Sequence, residues 1–156
     1  MKIVLFIIFF TFSIHSFASE CHQDETLIAS CDLKGKARRV AAICLNKKTE
    51  HLYYSFNNNG RVELNVDFTQ GRKLKRWVDR WTYTTYFGFI RGGYSYVLGV
   101  PEERPEAVAF LDLKKNGKSL SLIECRTNSF GEKDVKNKNI DDIPDDEVRD
   151  NGFNFP

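Results

Sequence analysis

Among the side chains of this 156-residue chain, His51 and Glu63 with Arg76 or Arg80 come nearest to a catalytic set. A base, an acid and an arginine are what cleavage of a phosphodiester asks for. The chain order argues against their assembly. Asn57-Asn58-Asn59-Gly60 reads as a tight hairpin turn, because Asn and Gly tolerate left-handed backbone. Such a turn puts Glu63 opposite Tyr54 and leaves His51 about three residues further along the strand. There is no G-x-S-x-G and no H-E-x-x-H. No C-x2-C pair exists, and His22 and His51 stand in no metal-ligand spacing. The expectation is a non-enzymatic chain with no catalytic residue, no metal and no cofactor.

Cysteine chemistry is the better defined part. Lys2, an apolar run over residues 3–12 and Ser16-Phe17-Ala18 have the form of a secretory signal peptide over residues 1–18, with the mature chain starting at Ser19. The apolar run is far shorter than the roughly 20 residues of a membrane span. Glu20, and not a small residue, precedes Cys21, which argues against a lipid anchor. The expected location is therefore periplasmic or secreted. In an exported chain Cys21, Cys31, Cys44 and Cys125 read as two disulfides, each worth about 2–4 kcal/mol.

The elements that must position these groups are short strands. Residues 26–31, 38–45, 51–56 and 61–68 have strand composition, and in the last Val62, Leu64, Val66 and Phe68 alternate with Glu63, Asn65 and Asp67. Residues 81–98 are two aromatic-rich arms of a hairpin turning at Arg91-Gly92-Gly93. Residues 106–113 and 119–125 flank a turn at Asn116-Gly117, and residues 99–105, with Pro101 and Pro105, read as loop. Residues 70–77 read as a basic loop or one or two helical turns. The resulting all-β fold is an antiparallel meander of about eight strands over residues 19–127, closing as a small barrel or a two-layer sandwich. Residues 128–156 hold 8 Asp and Glu against 4 Lys and Arg, whereas residues 19–127 hold 13 against 18. The last segment is expected to be a flexible acidic tail. In this meander Cys31 lies near the first turn and Cys44 about seven residues, or about 23 Å, away. Strands two and eight run in the same sense, so the expected pairs are Cys44–Cys125 and Cys21–Cys31.

Two surfaces are candidates for recognition. The first is the hairpin tip with Arg91, Tyr94 and Tyr96 exposed, since tyrosine suits a site with one wet end. The second is the basic and aromatic run Arg72, Lys73, Lys75, Arg76, Trp77, Arg80 and Trp81, which could take an anionic ligand or the chain's own acidic tail.

The pattern C-x9-C-x2-K-G-K-x7-C, the strands L-Y-Y-S-F, G-R-V-E-L and R-G-G-Y-S-Y-V, and the closing S-L-x-x-I-x-C cover residues 21–125. In these features the chain resembles a loose group of uncharacterised small exported bacterial β-proteins with disulfides. Its meander is also similar to that of the periplasmic lysozyme inhibitors, whose cleft-entering loop has its counterpart in Gly92-Gly93-Tyr94-Ser95-Tyr96. Compartment, a compact disulfide-stapled β architecture and the lack of catalytic groups lead to the expectation of an exported, non-enzymatic binding protein, for instance of inhibitor or immunity type with a cell-wall-acting enzyme as its protein partner. A carbohydrate- or anionic-ligand-binding module is the alternative and a secreted nuclease-type hydrolase the second; a nucleic-acid partner and a membrane span are not expected.

Overall fold

Alternating apolar residues joined by two-residue turns build most of this chain. The computed structural model describes residues 20–156, so the signal peptide expected over 1–18 and the start expected at Ser19 lie outside the described residues. The strands are β1 (Thr26–Leu33), β2 (Arg39–Asn46), β3 (His51–Asn58), β4 (Arg61–Phe68), β5 (Leu74–Asp79), β6 (Thr84–Arg91), β7 (Tyr94–Val100), β8 (Phe110–Lys115), β9 (Lys118–Glu124) and β10 (Ile140–Ile143), followed by one short helix, α1 (Asp145–Asp150). They form two sheets, β1-β2-β3-β4 and β10-β5-β6-β7-β8-β9. The fold is all-β, with the sheets packed face to face as a sandwich and no closed barrel among the described residues. No helix among the described residues is long and apolar enough to cross a membrane.

The turns explain the antiparallel register. Gly92 and Gly93 have φ of 59° and 77°, which place the β6–β7 hairpin on a two-residue turn with both central residues left-handed. Asn59-Gly60 and Asn116-Gly117 repeat that geometry between β3 and β4 and between β8 and β9. The core lies between the sheets, where Tyr54, Val66 and Phe68 meet Phe87, Phe89 and Leu98. The Phe89 ring lies 4.9 Å from that of Tyr54 and 5.4 Å from that of Phe68.

Along one edge the two sheets are joined. Leu33 bridges to Cys125, the Arg126 amide donates to the Asp32 carbonyl at 2.8 Å, and Cys31 is disulfide-bonded to Cys125. The other disulfide is Cys21–Cys44. Both pairs differ from the expected Cys44–Cys125 and Cys21–Cys31. Side-chain parity, and not strand sense, decides the matter. Cys31 faces the inter-sheet core, whereas Cys44 points from the opposite face of its sheet, where Cys21 covers it beside Ala42. Cys31 is also opposite Ala41, three residues from Cys44 and not seven, because β1 extends to Leu33.

Three further expectations are corrected. The basic segment of residues 70–77 is in large part strand β5, whose Leu74, Arg76 and Trp77 are all buried. Burial on both faces removes the alternation that marks a half-solvated strand. Next, residues 106–109 remain loop, and β8 begins at Phe110. Lastly, the acidic tail is folded. β10 pairs in parallel with β5, matching Ile140 to Leu74 and Ile143 to Trp77. Beyond it, Val148 and Phe155 pack on Trp77 and Val97 as a third layer over the outer face of the second sheet. Phe155 lies so close to Gly88 that a Cβ there would be 2.7 Å from its ring.

Candidate functional site: an aromatic platform held by an arginine

The turn between β5 and β6 is shaped by one carboxylate. Asp79, at the end of β5, accepts hydrogen bonds from the Trp81 amide at 2.9 Å and from the Thr82 hydroxyl at 2.8 Å, and its carbonyl accepts from the Tyr83 amide at 2.8 Å. An aspartate bonding the backbone two residues on is a turn-forming device, and it lets Tyr83 adopt a left-handed φ of 54°. The consequence is that Trp81 and Tyr83 project into solvent, 80% and 61% exposed.

Arg149 of α1 fixes this turn from the side. Its guanidinium donates to Asp79 through Nη2 and to Asp145 through Nε at 3.0 Å. Asp145 in turn accepts from the buried Trp77 indole at 2.9 Å. Desolvation pushes the Asp145 carboxyl up, but the bonds from Trp77 and Arg149 prevail and hold it below the ordinary carboxylate range. The guanidinium carbon lies 4.3 Å from the centre of the Trp81 ring and 5.2 Å from that of Phe153, which is 55% exposed. Trp81 and Phe153 thus form an exposed aromatic platform about Arg149, which is anchored to two buried carboxylates, and Tyr83 stands exposed in the same turn as Trp81. Asp146, Glu147 and Asp150 of α1 are exposed, as is Arg80 in the β5–β6 turn beside Trp81.

The seven residues of the basic and aromatic run do not share a surface. Arg72 is exposed and donates to the Asp67 carbonyl at 2.8 and 3.2 Å, bracing the crossing between the sheets. Lys73 and Lys75 are half-buried, and Arg80 is exposed in the turn. Arg76 is 4% exposed and donates to both oxygens of Asp142, at 2.5 and 2.9 Å, and to the carbonyls of Lys133 and Val135. The acidic segment therefore docks on the basic run through Arg76, and of the two tryptophans Trp81 alone reaches the platform. At the hairpin tip Arg91 donates to the Asn65 carbonyl of the facing sheet at 2.7 Å. Tyr94 and Tyr96 are half-buried and not exposed; Lys115 lies over the Tyr94 ring, and Tyr96 stacks on Phe89 at 4.9 Å.

His51, Glu63 and Arg76 are dispersed. His51 Nε2 is 3.0 Å from Asp67 Oδ1, Glu63 accepts from Asn58 at 2.9 Å, and Arg76 belongs to the other sheet. The turn falls at Asn59-Gly60, one position later than the expected pairing requires, which moves the register by two residues, and a bulge beside Glu63 adds one more, so that Leu64 opposes Phe56 and Tyr54 faces Val66 in place of Glu63. Among the described residues the one cluster with metal-ligand proximity is Cys21, Glu25 and Cys44, and its two sulfurs are bonded to each other.

Arg149, Asp145, Phe153 and Tyr83 escaped the sequence reading. The first three lie in the segment expected to be flexible. A signal was present: Pro144 followed by Asp145-Asp146-Glu147, with Asp145 and Arg149 at i,i+4, has the form of a helix start. No family model matches the chain, and no curated protein or solved structure matches it.

Proposed function

We propose that this chain is an exported, non-enzymatic binding protein of inhibitor or immunity type that engages a protein partner, a cell-wall-acting enzyme, through Trp81, Tyr83 and Phe153. Two disulfides belong to an oxidising compartment, which supports export. The observation that carries the reading is that Trp81 is 80% exposed yet held in place, with Arg149 anchored to Asp79 and Asp145 against its ring. Large aromatics and arginines dominate binding energy at interfaces, and a side chain already fixed in the free protein loses little entropy on association.

The test is retention of a partner from periplasmic or extracellular extract on immobilised mature protein. Wild type is expected to hold one protein stoichiometrically. Trp81→Ala, which removes an exposed ring and leaves the core intact, is expected to weaken that binding by at least about tenfold. Retention of the same partner at unchanged affinity by Trp81→Ala refutes the assignment. Glycan-array binding that disappears in Trp81→Ala instead makes the platform a carbohydrate site.

A further inference from the structure

A second site lies between the sheets, where residues of β1–β4 face residues of β7, β8 and β9. Here the sandwich opens into a cleft of about 330 Å³, walled by Phe56, Leu64, Tyr96, Leu113 and Ile123. That volume is in the range of small-molecule pockets, and like them the cleft is mostly apolar with a few fixed polar groups. Two of those groups carry a donor atom without a protein partner, although the Arg39 guanidinium donates through Nη2 to the Lys34 carbonyl at 3.4 Å. Tyr54 lines the cleft at 1% exposure, and its hydroxyl is buried with nothing in the protein to bond. Burial pushes that hydroxyl's pKa up, so it stays a donor throughout the physiological range. Arg39 also lines the cleft, and its Nε is likewise buried and unpaired. Glu63, brought to the cleft by the β4 bulge, already accepts from Asn58.

A buried, unpaired hydroxyl and guanidinium nitrogen beside apolar walls is a costly arrangement for a core. It suits an amphiphile whose acceptor-bearing, anionic end meets two donors while its chain covers the walls. We propose that this cleft binds a small monocarboxylate with an apolar chain, its carboxylate accepting hydrogen bonds from Tyr54 Oη and Arg39 Nε. The charged Arg39 donor favours the carboxylate over an alcohol of the same length, against the opposing charge of Glu63 on the cleft wall, and the apolar walls select it over acetate.

Titration calorimetry of the delipidated, disulfide-intact protein with decanoate, decanol and acetate tests this. Saturable binding of decanoate is expected, at least about tenfold tighter than decanol, with none for acetate. Tyr54→Phe keeps the ring and its packing and is expected to weaken decanoate about tenfold, the loss of one hydrogen bond to a charged group. Arg39→Met is expected to abolish the preference for decanoate over decanol. Thermal melts of both variants check that they are folded. Absence of saturable decanoate binding to the wild type overturns the proposal and leaves a cleft that holds only water. Equal decanoate affinity in the wild type and both folded variants overturns it too.

Discussion

The buried pair formed by Arg76 and Asp142 should respond unequally to loss of its two halves. Arg76 is almost wholly buried and makes four hydrogen bonds, two to Asp142 and two to main-chain carbonyls, whereas the Asp142 side chain is 52% exposed. Asp142→Ala leaves a buried guanidinium with carbonyl partners only. Breaking a buried pair from one side costs about 3–5 kcal/mol, and the two remaining carbonyls place this case near the lower end, at about 3 kcal/mol. Arg76→Met leaves a carboxylate that water can reach and fills the space with an apolar chain, so about 2 kcal/mol is expected, mainly from the two carbonyls that lose a partner. In urea, at a slope of about 2 kcal/mol per molar, these losses move the midpoint by about 1.5 and 1 M. The double variant Arg76→Met with Asp142→Ala should be less destabilised than the sum, because the unpaired guanidinium is gone. Equilibrium urea unfolding with disulfides intact measures all three. A larger loss for Arg76→Met than for Asp142→Ala, or strict additivity, would refute the view that this pair seats the C-terminal segment on β5.

Other consequences are open to direct measurement. Loop-closure entropy ranks the disulfides: removing Cys31–Cys125, which spans 94 residues, should cost about 4.7 kcal/mol and removing Cys21–Cys44, which spans 23, about 3.4. Non-reducing peptide mapping must recover these two pairs, and a Cys44–Cys125 fragment would contradict the fold. Bonds from Arg76 hold Asp142 below the ordinary carboxylate range, and Asp145 is also depressed. A lowered folded pKa gives stability that is complete above the unfolded value of about 3.9 and is lost as pH falls through the folded one. Amides of β10 and α1 should thus keep their exchange protection down to about pH 5 and lose it below about pH 4, while those of β2 and β3 persist. Gly88→Ala should displace Phe155 and Pro156 from the outer face of the second sheet, altering Trp77 fluorescence and costing about 1–3 kcal/mol; a spectrum identical to wild type would count against the third layer.

Where the sequence was most legible, local rules governed. The alternation of Val66 and Phe68 and the paired left-handed turns at Gly92-Gly93 and Asn116-Gly117 need no knowledge of distant residues, whereas in the run Asn57 to Gly60 the turn was expected about Asn58-Asn59 and falls at Asn59-Gly60. β5 was hidden because Arg76 reads as solvated until its partner, Asp142, is seen 66 residues away. The same distance concealed the platform: Trp81 was visible as an aromatic beside arginines, but Arg149, which fixes it, lay in a stretch whose composition suggests disorder. Composition scores each residue singly, and here the charges of one segment are the complement of another's. The β4 bulge likewise escaped, since Val62 to Phe68 alternates without a break; slipping the pairing brings Glu63 to the inter-sheet cleft.

The parallel pairing of β10 with β5 has a consequence for biogenesis. A chain delivered from its N-terminus presents β5 long before β10 exists, and Cys31 waits 94 residues for Cys125. Through that interval one border of the larger sheet offers unpaired amides and carbonyls, with Trp77 bare beside them, and a free thiol remains available for exchange. The nascent protein is thus most vulnerable to mispaired thiols until Cys125 emerges and to aggregation until β10 does, and a thiol oxidoreductase or a chaperone would have the most effect in those intervals.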